Sequence, residues 1–150
     1  MSMKSLTLSL VTPERTLFSG SVLEATLSTE AGEVTILPDH VPYIATLKPG
    51  EIFVRKEDGS EESFVVFGGF VEFHANALTV LADAAERADE IDVENAEKAI
   101  ARAREIREQK VDPQSEEYLA AIALLERSWA RLSVAKKRRS HTASAPESIS

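Results

Sequence analysis

The sequence predicts an α+β protein: an N-terminal antiparallel β-sandwich of about eight to ten short strands, then a C-terminal antiparallel two-helix hairpin. Three observations predict it. From Leu6 to Leu81, short apolar runs of period two recur between turn signals. The stretch GEVTILPDHVPYIATLKPG, Gly32 to Gly50, interrupts that alternation with Pro38, Pro42 and Pro49, marking a specified bend inside a β-domain. Beyond residue 90 the apolar positions recur at steps of three and four instead. The expected boundaries are a sandwich over 1–84, a linker over 85–91, a hairpin over 92–139 and a disordered tail over 140–150.

Leu6, Leu8 and Leu10 alternate with Thr7 and Ser9 as in a half-buried strand, which Pro13 ends. Leu17 to Gly20 reads as a turn, and Leu23, Ala25 and Leu27 resume the alternation as a second strand. Val34 and Ile36 belong to a third, broken at Pro38, and Tyr43 to Leu47 to a fourth, with Pro49-Gly50 read as the turn after it. Ile52–Val54 and Phe64–Phe67 flank Asp58-Gly59, the strongest short-range hairpin signal. Phe70–Phe73 and Leu78–Leu81 flank Ala75-Asn76-Ala77 and give another. Gly68-Gly69 reads as a bulge or a close backbone approach, because no G-x-G-x-x-G leading into a helix follows.

From Ala82 to Ala88 the chain is small and charged, fit for a linker or a short helical turn, and Asp92 reads as the N-cap of a helix reaching about Gln109. Val93, Ala96, Ala99, Ile100, Ala103 and Ile106 mark its inner face. Asp112-Pro113 stops this helix and starts the next, on which Tyr118, Ile122, Leu125, Trp129 and Leu132 fall at heptad spacing. Two helices joined so closely form an antiparallel hairpin. Ordering each residue costs about 1–2 kcal/mol against roughly 1.5–3 kcal/mol for each fully buried side chain, so a lone pair of helices is marginal and its docking reversible.

The chain has 150 residues, 43% of them hydrophobic and 28% charged, with no apolar run near the roughly 20 residues that cross a bilayer. The absence of Cys excludes disulfides and thiolate chemistry and suits a reducing compartment. MSMKSLTLSL has neither signal-peptide nor transit character, so the mature chain is expected to begin here. A net charge of −8 argues against a nucleic-acid binder. The charge is uneven, however: basic and acidic residues number five and eleven over 1–82, six and twelve over 83–117, and six and two over 118–150.

No catalytic constellation emerges. G-x-S-x-G, G-x-x-x-x-G-K-[ST] and H-E-x-x-H are absent, and His40, His74 and His141 are widely separated. His40 reads as a hydrogen-bonded structural residue rather than a metal ligand. Asp83, Glu86, Asp89, Glu90 and Asp92 read as a solvated face plus helix-cap charge. Arg127 and Arg131, spaced i, i+4, share a helix face that suits a phosphate chain or an acidic partner surface.

Four segments in order carry a family resemblance: GEVTILPDHVPYIATLKPG, FGGFVEF, ALTVLADAAERADEID and RSWARLSVAKK. Over residues 3 to about 138 the chain resembles the epsilon subunit of bacterial F-type rotary ATP synthases. The resemblance implies a non-catalytic rotor subunit of a proton-translocating synthase, peripheral on the cytoplasmic face of the bacterial plasma membrane and touching the membrane only through the complex. Its sandwich would bind the gamma subunit and the c-ring through Glu33, His40 and Pro42. Its hairpin would extend to inhibit ATP hydrolysis, bringing Arg127, Arg131, Lys136, Lys137 and Arg138 against the catalytic alpha and beta subunits. No cofactor is required. Some members bind ATP as a regulatory ligand through I/L-D-x-x-R-A and two later arginines, a site that here would comprise Glu86, Asp92, Arg127 and Arg131. Asn95 stands where that motif has Arg. The missing charge-assisted bond is worth roughly 1.5–3 kcal/mol, so such binding is expected to be weak.

Overall fold

The computed structural model describes residues 4–109 and 112–144. It divides into two compact units, Met1–Glu90 and Ile91–Ser150. The first holds eight strands: β1 (Leu6–Val11), β2 (Thr16–Thr29), β3 (Gly32–Ile36), β4 (Tyr43–Lys56), β5 (Glu61–Val66), β6 (Gly69–His74), β7 (Ala77–Ala82) and β8 (Ala85–Arg87). A 3₁₀ turn over Ala88–Glu90 follows. The second unit holds α1 (Val93–Glu108) and α2 (Glu116–Ser144).

The strands hydrogen-bond in the order β3-β2-β1-β7-β6-β4-β5-β8, with β2 also pairing β4. All pairs are antiparallel except β1 with β7. The two long strands build both layers. The first half of β2 pairs β1 while its second half pairs β3 and β4. The first half of β4 pairs β6 and its second half pairs β2 and β5. Strands that switch layers in this way form the corners of a sandwich. Leu8, Leu10, Val22, Leu27, Ile36, Ile52, Phe64, Val71, Phe73, Leu78 and Val80 fill the space between the layers.

Two expected turns are therefore absent. Leu17 to Gly20 lies inside β2, paired with β1, and Pro49-Gly50 lies inside β4. At Pro49 the β4 register slips: Ile52 faces Leu27, yet Leu47 faces Thr29. Four residues are thus accommodated opposite Ser28, and the strand bends instead of reversing. Ala85–Arg87, expected as linker, pairs with Phe64–Val66 and closes the sheet edge. Arg87 holds it there, donating to the Leu17 carbonyl (2.6 Å), pairing with Glu62 and lying over the Phe64 ring.

In the helical unit, the Asp92 carboxylate accepts from Asn95 N–H (3.1 Å) and caps α1, as the sequence predicts. Asp112 does not cap α2. Its carboxylate turns onto Gln114 N–H (2.9 Å), and Ser115 Oγ takes the cap by accepting from Tyr118 N–H (3.2 Å). On α1 the buried residues are Ala96, Ile100 and Ala103, on the expected face. On α2 the buried residues are Ala121, Leu125, Ser128, Val134 and Ala135, with Leu132 packed against the Ile100–Ala103–Leu125 cluster, and Trp129 remains 45% exposed. The small side chains allow close helix approach, which an indole at the seam would prevent. The α2 backbone continues to Ser144, past the expected end at 139, because no Gly or Pro interrupts it before Pro146.

Candidate functional site

Strand alternation places one set of side chains on the outer face of the β4-β6-β7-β1 layer. Val71 and Phe73 point inward, so Phe70 and Glu72 point out; Leu78 and Val80 point inward, so Thr79 and Leu81 point out. Across the strands Thr46 faces Phe70, Phe70 faces Leu81, and Leu81 faces Val11. Ile44 faces Glu72, diagonal to Phe70. Ile44, Phe70 and Leu81 are 75%, 59% and 55% exposed, so this is an apolar strip on a face that also carries Thr7, Ser9, Thr46, Glu72 and Thr79. Such a strip marks a surface built to be covered.

The bend beside it carries Leu37 and Val41, also exposed. His40 is half-buried within it. Its Nδ1 lies 2.8 Å from the Val41 carbonyl, and its ring stands edge-on to Tyr43 and Phe73. That is the structural role the sequence predicts. Among the described residues, no three His, Cys, Asp or Glu side chains converge to hold a metal. Pro42 is exposed in the same bend, and Glu33 is exposed on β3, which ends one edge of the sheet.

Residues 5–88 match the family model of the ATP synthase delta/epsilon chain, beta-sandwich domain. The chain is 41% identical over 135 residues to the ATP synthase epsilon chain of Thioalkalivibrio sulfidiphilus, covering 89% of this chain and 94% of that one. It is 46% identical over 97 residues to that of Dichelobacter nodosus, covering 65% and 68%. The chain belongs to the ATP synthase epsilon family.

The fold agrees with a chain in the Euglena gracilis mitochondrial ATP synthase, OSCP/F1/c-ring, with a TM-score of 0.75 at 22% identity, covering 91% of this chain and 82% of that one. Epsilon chains are subunits of a larger complex, and among the described residues no helix is long and apolar enough to cross a membrane.

The other residues singled out from the sequence belong to other elements. Glu86 sits on β8 opposite Val65, in the sandwich unit, whereas Asp92, Arg127 and Arg131 belong to the helical unit. Arg104 lies over the Trp129 ring (5.7 Å), and Ile100 and Leu132 line one groove, so the two helices run antiparallel with position 132 level with 100. Arg131 is then level with about residue 101, some 13 Å along the axis from Asp92 at 1.5 Å per residue. Within the helical unit, Asp92 and Arg131 are therefore separated along the helix axis. Arg127 is exposed and Arg131 half-buried, and neither is without a partner. Lys136 and Lys137 are exposed one turn further on; the Arg138 side chain and residues 145–150 lie outside the described residues. Sequence reasoning overlooked Ile44, Phe70 and Leu81, although the period-two pattern that locates the core also assigns these three to the opposite face.

Proposed function

We infer that this epsilon chain is a non-catalytic central-stalk subunit of a proton-translocating ATP synthase, joining the gamma subunit to the c-ring on the cytoplasmic face of the bacterial plasma membrane. We further infer that its helical hairpin restrains ATP hydrolysis. The apolar strip of Ile44, Phe70 and Leu81 carries the reading. A protein that worked alone would have no reason to leave three large apolar side chains adjoining on a regular sheet face. Glu33, His40 and Pro42 extend the contact toward the gamma and ring subunits. The basic positions Arg127, Arg131, Lys136, Lys137 and Arg138 suit acidic surfaces of the catalytic alpha and beta subunits.

Phe70→Asp tests the first half. Placing a charge at the centre of an apolar interface is expected to weaken binding to the purified gamma subunit at least about tenfold while the sandwich stays folded. Unchanged affinity removes the strip from the interface. Deleting residues 91–150 tests the second half: the ATPase rate of the assembled complex should rise, and an unaltered rate ends the inhibitory reading.

The shared face of Arg127 and Arg131, one turn apart on α2, favours a second reading in which ATP steadies the folded hairpin. A nucleotide would have to bridge from these arginines to Asp92, and Asn95 supplies no charge on the way. Calorimetry with millimolar ATP decides it, and no heat removes it.

A further inference from the structure

We propose that Asp39, Asn76 and Lys4 form a pin that presents the Leu37–Val41 bend, already shaped, to the protein partner of the sandwich. The partner rests on the reading above; the pin rests on its own geometry.

The Leu37 carbonyl accepts from His40 N–H (3.1 Å), with Pro38 second in the turn and Asp39 third at φ 65°. That is a type II turn, whose third position calls for glycine. The β6–β7 hairpin closes His74 on Ala77 through Ala75 (φ 50°) and Asn76 (φ 58°), a pair of left-handed positions where glycine is again favoured. Elsewhere in the described chain, left-handed backbone is given to Gly32, Gly59, Gly68 and Gly69. At residues 39 and 76 the chain instead keeps side chains that can hydrogen-bond, and these two meet.

Asp39 N–H donates to Asn76 Oδ1 (2.6 Å), and Asn76 Nδ2 donates back to Asp39 Oδ1 (2.9 Å). Lys4 Nζ donates to the remaining carboxylate oxygen (2.9 Å). Thr7 N–H donates to the Asn76 carbonyl (2.8 Å), so the pin is anchored in β1 as well as in the hairpin. Residues 37 positions apart are thus joined by reciprocal bonds at the surface, where the core supplies no reason for order. What they hold is a projection of Leu37 and Val41, 50% and 69% exposed, framed by Pro38 and Pro42. Its one acid, Asp39, is paired with Lys4. Such a projection fits an apolar, weakly charged depression on a protein. A bend held in one shape avoids the ordering cost at binding that a loose bend of the same composition would incur.

The test uses the full chain with Asp39→Gly and Asn76→Gly, both compatible with left-handed backbone, and Asp39→Asn, which retains a hydrogen-bonding side chain. Hydrogen exchange at the Asp39 and His40 amides reads the pin, and affinity for the purified gamma subunit reads its use. Both glycine variants should melt within a few degrees of the parent, exchange these amides about tenfold faster, and bind about fivefold more weakly as the competent fraction of bends falls. Asp39→Asn should recover more than half of that affinity. Unchanged exchange overturns the pin; faster exchange with unchanged affinity overturns its role in presentation. Failure of the parent chain to bind gamma counts against the partner assignment alone, and the exchange rates still decide the pin.

Discussion

Gly69 is the most closely hemmed glycine of the sandwich. Its φ is 127°, and a Cβ there would collide with the Leu81 carbonyl of β7. Because the obstacle is backbone, it cannot swing aside, and Gly69→Ala should cost about 3 kcal/mol or more, lowering the melting temperature by at least about 10 °C. A variant melting like the parent would show that β6 and β7 can move apart. Asp39 makes a different prediction. The Asn76 amide, then Lys4, holds its carboxyl below the ordinary value of 3.8, and Asp39 in turn raises Lys4 above 10.5. A depressed carboxyl stabilises the folded bend above its unfolded value and ceases to do so as pH falls through its folded one. The pin should therefore be intact from about pH 5 upward and release below pH 3.8, with the Lys4 contribution fading above pH 10.5. The Asn76 side-chain amide signal reports both limits, and a midpoint at or above the ordinary carboxyl value would contradict the pairing. At this scale the sequence is legible wherever one residue type has one physical use: the glycine pair needs positive φ, and Asp92 needs an orphan N–H to cap. The joining of Asp39 to Asn76 is not legible, because 37 positions separate them and only the folded sheet makes them neighbours.

Among the elements, α2 shows how periodicity can identify a helix and still misplace its seam. The apolar arc is wide enough for two registers, one through Tyr118, Ile122, Leu125, Trp129 and Leu132, the other through Ala121, Leu125 and Ser128. Close packing favours the smaller side chains and leaves Trp129 under Arg104 at the rim. The choice has a cost: Ser128 Oγ is fully buried with no hydrogen-bond partner among the described residues. Ser128→Ala should therefore stabilise the hairpin by about 1 kcal/mol, seen as a higher midpoint in helix melting by circular dichroism. A lower midpoint would mean that the hydroxyl finds a partner in solution. The long strands are misread for a related reason. Pro49-Gly50 and Leu17–Gly20 carry the composition of turns, but composition does not distinguish a reversal from a bend within one strand. The ladders on either side decide it, since β4 changes partners across Pro49 and never turns back.

For the whole molecule, every residue of the main core cluster lies between Leu6 and Ala82. A fragment of residues 1–90 should accordingly fold and melt cooperatively by itself, and a fragment without a sharp transition would show that the sandwich needs the helices. The sequence alone determined that there is a β-domain followed by helices, because periods of two and of three to four follow from backbone geometry and need no partner. It also determined the turn chemistry at Asp58-Gly59 and Gly68-Gly69 and the absence of recognised catalytic motifs. The layer exchange of β2 and β4, the seam between α1 and α2, and the meeting of Asp39 with Asn76 were decided only by the tertiary structure. These depend on which distant segments pair, and a local pattern constrains the face a side chain occupies without naming the residue it meets across the gap.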